Sequence, residues 1–127
     1  MNPNDFLSLC DELLKLQSCY AEANYRTIVG RAYYSSFLLS KVFAINRGHG
    51  QLRAYDREGH PAPGAIHSAV RDALFELRHV DIAWQLLTLF ENRVRADYKP
   101  GEVITRDDAD ESMRLANRVN SYININM

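Results

Sequence analysis

Apolar residues recur at steps of three and four over five stretches of this chain, and nowhere alternate with period two. Phe6, Leu9, Leu13, Leu16 and Tyr20 form the first stripe, opened by Asn2 or Asn4 as cap with Asp5 in the favourable first turn. A second helix is expected from about Ala23 to Ile45, with Tyr25, Ile28, Val29, Ala32, Ser36, Leu39 and Phe43 on one face. Tyr33, Phe37 and Val42 widen its apolar girth, the mark of a helix central to a bundle. A third is expected over about Ala65–Leu77, with Ile66, Val70, Ala73, Leu74 and Leu77 inward. A fourth runs from about Val80 to Asp97, with Val80, Ala83, Trp84, Leu87, Phe90 and Val94 as its stripe. Pro100 disfavours helical geometry at Lys99, and Gly101 follows, so that helix stops there. Thr105-Arg106-Asp107-Asp108 is a cap pattern opening a last helix through Ala109, Met113, Ala116, Val119 and Ile123. The expected fold is all-α, an antiparallel up-down bundle of four long helices with a fifth, shorter one.

Length fits one domain over residues 1–127. The stretch 47–64 differs in kind from the helices. It holds four of the six glycines and two of the four prolines, together with Arg47, Arg53, Arg57, His49 and His60. A connection this long is either functional or a mobile loop. The two cysteines, Cys10 and Cys19, are nine residues apart. On one helix that is roughly 13 Å, beyond the ~7 Å a disulfide spans, so reduced thiols and a cytoplasmic location are expected. The first residues lack the basic start and apolar stretch of a signal peptide, and no apolar run approaches a membrane span.

A formal net charge of −1 excludes a broadly basic nucleic-acid coat. That total conceals a division. Residues 26–57 carry +5, including Arg26, Arg31, Lys41 and Arg47, whereas residues 102–114 carry −3. Such stretches can meet within the fold or across a dimer. The acids are also what a capped helix start requires. Arg31-Ala32-Tyr33-Tyr34 places Arg31 and Tyr34 one turn apart on one face. A guanidinium beside a phenol holds a phosphate or stacks on a base. The plainer alternative is two core aromatics with Arg31 paired to a carboxylate. In the fourth helix Arg93 and Asp97, four apart, form either an intrahelical ion pair or part of a site, and Tyr98 closes the helix.

Arg31-Ala32-Tyr33-Tyr34, His67-Ser68-Ala69-Val70 and Arg93-Val94-Arg95-Ala96-Asp97-Tyr98, in this order, resemble the HEPN superfamily over about residues 20–125. The likeness is to its short stand-alone members. The resemblance implies a helical bundle, commonly a homodimer, that binds RNA or nucleotides. Many members are metal-independent ribonucleases of toxin–antitoxin or defence systems, and a nucleotidyltransferase-type antitoxin is one kind of protein partner. Their active site resembles Arg-x4–6-His. Arg93 takes the arginine's place, but Tyr98 stands where the shortest spacing puts the histidine, and no histidine follows Arg93. Cleavage through a 2′-hydroxyl needs a group that exchanges protons near neutral pH, which histidine does and tyrosine, with a pKa near 10, does not.

The expected ligand-binding residues are therefore Arg31, Tyr34, Arg93, Asp97 and Tyr98. If the chain is an active ribonuclease, Arg93, Tyr98 and a recruited His67 are its catalytic candidates. His49, His60, His67 and His79 are spaced 11, 7 and 12 apart, which matches no helical metal pair, so no metal or cofactor is expected. There is no Gly-rich phosphate loop after a strand and no nucleophile motif. The expected function is an HEPN-like domain with a degenerate ribonuclease motif that binds RNA, a nucleotide or a partner protein. The alternatives are an active metal-independent ribonuclease and a structural dimerisation module.

Overall fold

The computed structural model describes residues 2–15, 21–48, 52 and 65–127. They form five helices: α1 (Asn4–Lys15), α2 (Ala21–Asn46), α3 (Ala65–Glu76), α4 (Val80–Tyr98) and α5 (Arg106–Asn126). The all-α bundle expected from periodicity is the observed fold, with no strand among the described residues. No described helix is long and apolar enough to cross a membrane.

The contacts fix the helix directions. Cys10 meets Ile28 while Phe6 meets Arg31, so α1 and α2 are antiparallel. Arg71–Phe90 and Phe75–Trp84 make α3 and α4 antiparallel, and Asn92–Ser112 and His79–Tyr122 do the same for α4 and α5. α2 and α5 run the same way, joined by Ser36–Asn120 near the middle and by Arg47 with the Asn126 carbonyl at one end.

The ends have identifiable causes. The Asn2 side chain accepts from the Asn4 amide at 3.0 Å to open α1. Thr105 and Asp108 form a reciprocal capping box at the start of α5. α2 closes on Gly48, whose φ of +103° is a conformation that a side chain resists. α3 ends differently. The His79 amide donates to the Leu74 carbonyl at 2.9 Å and the Arg78 amide to Phe75 at 3.0 Å. That is a Schellman pattern, and it puts Arg78 at φ +66°, where glycine is usual.

α2 is the central helix, as its girth suggested. Ala32, Tyr33, Phe37, Leu39 and Phe43 are buried among Val70 and Leu74 of α3, Leu86 and Leu89 of α4, and Val119 and Ile123 of α5, whereas Ile28 packs with Cys10, Ala109 and Met113, and Val29 with Ala96 and Ile104. Its seam with α5 is polar. Asn120 donates to Ser35 at 2.9 Å and to the Asn4 side chain at 3.3 Å, while the Ser36 hydroxyl donates to the Asn120 oxygen at 3.0 Å.

Two expected stripes are corrected. In α1 the buried positions are Leu7 and Cys10, and Leu9 is 44% exposed. In α4 the buried row is Ile82, Ala83, Leu86, Leu89, Arg93 and Ala96, with Val80 and Trp84 outward and Trp84 57% exposed. Both rows keep a helical period and differ by about one residue, roughly 100° of rotation. A charged residue on the inner face of α4 disguised the true row. Val42 of α2 also faces outward. Leu16, Cys19 and Tyr20 lie outside the described residues. So do His49, His60, Arg53 and Arg57, together with nearly all of the 47–64 stretch expected as a loop.

Candidate functional site

Because α2 and α4 cross antiparallel, Tyr34 of one faces Arg93 of the other. Arg93 lies in the buried row of α4 and is 9% exposed. Its Nε donates to Asp97 Oδ2 at 2.9 Å, and its Nη2 donates to the Tyr34 hydroxyl at 2.8 Å and the Tyr98 hydroxyl at 3.1 Å. Both phenol rings also flank the guanidinium, with centroids 5.1 and 4.9 Å from its central carbon. A buried cation is tolerated when it is paired and hydrogen-bonded in this way. Arginine has five N–H donors. The two on Nη1 make no hydrogen bond among the described residues.

Arg93 lines a polar cleft of about 330 Å³ with Thr27, Gly30, Arg31, Tyr34 and Asp97. Arg31 is exposed, its guanidinium 5.6 Å from the Phe6 ring of α1, and it forms no ion pair among the described residues. Asp97, with its side chain 35% exposed, uses Oδ2 for Arg93 and turns Oδ1 toward Gly30. A Cβ on Gly30 would stand 3.3 Å from that oxygen, so a glycine here lets the carboxylate lie close against α2. Four of the five expected binding residues thus line one cleft, and Tyr98, 64% exposed, touches it through Arg93.

His67 sits elsewhere. Its Nδ1 is 2.5 Å from the Tyr33 hydroxyl, and its ring packs among Tyr33, Phe37 and Phe90. Burial, then the positive charges of Arg93 and Arg71, hold it below the ordinary imidazole value. Burial likewise pushes the Tyr33 phenol up, so it stays protonated, and its hydroxyl shares a hydrogen bond with the imidazole Nδ1.

One cation of the basic stretch, Arg26, is engaged within the fold. Arg26 donates to the carbonyls of Ala96 at 2.9 Å, Arg95 and Lys99 at 3.3 Å, and to Glu102, where it closes the C-terminus of α4 and pairs with Glu22 at 3.0 Å. The acidic stretch is drawn into the same corner. Arg95 binds Glu102 at 2.8 Å, and Asp108 belongs to the capping box.

Gly30 and Thr27 were absent from the sequence-derived site. Gly30 carried a usable signal, a lone glycine inside an apolar helix, which often marks a close approach. Thr27 carried none. Among the described residues no group of three or more His, Cys, Asp or Glu side chains is placed to hold a metal ion. No family model, no curated protein and no solved structure matches this chain.

Proposed function

We propose that this chain is an HEPN-like helical domain that binds a nucleotide, free or within RNA, at the α2–α4 cleft, with a degenerate ribonuclease motif. The observation that carries the reading is Arg93 itself. Three bonds fix the guanidinium in place, while its Nη1 donors make no hydrogen bond among the described residues, and the cleft it lines also holds the cation of Arg31. A fixed arginine with free donors is an anion and base-edge receptor of low ordering cost. The toxin–antitoxin or defence setting, a homodimer and a nucleotidyltransferase-type partner rest on the resemblance of the three motifs. Binding is favoured over cleavage because His67 is bonded to Tyr33 among aromatic rings and is not part of the cleft lining.

The test is a low-salt titration with short labelled single-stranded RNA and with mononucleotides, comparing wild type with Arg31→Ala. Arg31 is exposed, so its loss should leave the fold intact and weaken binding about tenfold or more. Absence of binding by the wild type to both ligands refutes the reading. Metal-independent RNA cleavage by the wild type, lost in His67→Ala, would replace it with the ribonuclease.

One observation favours a second reading, the structural dimerisation module. Arg93 is buried against Asp97 within its own chain, as a residue holding α2 to α4 would be. That reading expects a dimer without nucleotide affinity, and an Arg93→Ala variant whose defect is purely in stability.

A further inference from the structure

Helix α5 carries charges that its own chain does not use. Asp110 and Glu111 precede Arg114 and Arg118 along it, and none of the four forms an ion pair or hydrogen bond among the described residues. Asp110 and Arg114 are one turn apart, the spacing at which a helix pairs opposite charges for itself, yet they make no pair. Helix-end electrostatics do not account for them either. That effect is confined to the terminal turns, whereas Asp110 lies in the second turn and Arg118 two turns before the end. Beside these charges runs an open groove of about 660 Å³, lined by half-buried Leu14 of α1 and buried Met113 together with Asp110, Arg114, Asn117 and Arg118.

The order of these features along α5 is its own complement. Asp110 and Arg118 lie four residues to either side of Arg114, about 6 Å along the helix in each direction. A second copy running antiparallel, with a two-fold axis at Arg114, sets Asp110 opposite the partner's Arg118 and Arg118 opposite the partner's Asp110. Arg114 stands at the axis, with Asp110 and Glu111 of both copies one turn away to offset the two guanidiniums. The apolar ends obey the same axis. Ile125, 82% exposed, and Val103, 68% exposed, are the most exposed large apolar side chains among the described residues. Each is eleven residues from Arg114, one at either end of α5, so the axis that opposes the charges also brings Ile125 toward the partner's Val103. A nucleic-acid strand or an anionic surface laid on this face meets Asp110 and Glu111 as like charges, which a second copy does not.

We propose that this face of α5 is an isologous dimer interface whose partner is a second copy of this chain, held by two Asp110–Arg118 pairs and closed at its ends by Ile125 and Val103. The face shares no lining residue with the α2–α4 cleft, so the interface stands independently of nucleotide binding there.

Sedimentation equilibrium of the full chain at low salt, from micromolar to near-millimolar concentration, tests it. The wild type should pass from the mass of one chain to that of two. Arg118→Asp sets carboxylate against carboxylate twice per dimer, and Asp110→Arg sets guanidinium against guanidinium twice, so each should weaken self-association about tenfold or more. Both residues are exposed, so the fold should persist, as circular dichroism checks. Mixing the two variants should restore a dimer of one chain of each, because every opposed pair again has opposite signs. Placing both substitutions in one chain should restore the homodimer for the same reason. A wild type that stays monomeric throughout overturns the proposal. A dimer indifferent to both reversals forms through another surface and overturns it as well. Weakening by both reversals without recovery in the mixture or the double variant overturns the Asp110–Arg118 pairing. Should a reversal unfold the chain, Ile125→Ser decides, and unchanged self-association of that variant overturns the interface.

Discussion

Replacing Gly30 by alanine sets two effects of opposite sign against each other. Gly30 lies in the interior of α2 and is buried. Glycine within a helix is less favourable than alanine by about 0.5–1 kcal/mol, and burying the added methyl contributes about 0.8 kcal/mol more. Against this gain stands one close contact, 3.3 Å from the new Cβ to Asp97 Oδ1, with Oδ2 and Cγ at 3.6 and 3.8 Å. Only a few tenths of an ångström must be yielded, and Asp97 is able to yield because its side chain is one-third exposed. The movement lengthens the 2.9 Å bond to the buried Arg93, which the Tyr34 and Tyr98 hydroxyls continue to hold, at a cost of about 1 kcal/mol. The net expectation is a change between zero and a gain of about 1.5 kcal/mol, together with weaker nucleotide binding because Asp97, which lines the cleft, has moved. Urea unfolding followed by circular dichroism measures the first quantity and calorimetric titration the second. A loss of stability greater than about 1 kcal/mol would refute the reasoning, since it would mean that Asp97 cannot move.

Arg78→Gly should stabilise the chain by about 0.5–1.5 kcal/mol in the same urea assay, because φ +66° at the end of α3 strains any other residue; unchanged stability would contradict this. Arg26→Gln should cost about 1–2 kcal/mol by removing the charged cap from the carbonyls of Ala96 and Lys99, seen as a lower urea midpoint. Cys10 is buried, and its thiol is pushed up from 9.0 to about 11, so the folded chain favours the neutral form. The associated stability is fully present below pH 9 and falls by about 2–3 kcal/mol as pH rises to 11. In a Cys19→Ser background, Cys10 should resist disulfide-exchange reagents at pH 8 until urea unfolds the chain. For His67 the sign is opposite. Its lowered value favours the neutral ring in the fold, so its contribution is present above pH 6.5 and is lost as pH falls through the folded-state value. His67→Phe should flatten that acid limb in unfolding curves taken from pH 7.5 to 5.

The sequence specified the helices better than their rotation. Boundaries follow from local chemistry that can be read directly: the Thr105–Asp108 box, Pro100 after Lys99, and Asn2 before α1. Rotation depends on which of two apolar rows finds partners, and α4 carries two. Val80 and Trp84 look like core residues by composition, but the row that meets α2 includes Arg93, whose burial depends on Tyr34, fifty-nine residues earlier. The cleft was legible in part for the same reason. Arg93 and Asp97 announce themselves by spacing and Tyr34 by its neighbour Arg31, whereas the approach of Asp97 to Gly30 exists only once α2 and α4 have crossed. Arg26 shows the reverse error. As a charge it enlarged an apparent basic patch; as a side chain it is the C-terminal cap of α4.

The polar seam between α2 and α5 has a consequence for synthesis on the ribosome. Ser36 and its partner Asn120 are 84 residues apart, so the central helix emerges long before the helix that covers its serine-lined side. At ordinary translation rates that interval is roughly 4–17 s. Serines facing water through that interval leave the nascent α2 less adhesive than a wholly aliphatic core helix would be. When Asn120 arrives, it engages Ser35, Ser36 and Asn4 together, so the last helix docks in one register and closes the first helix onto the bundle in the same step.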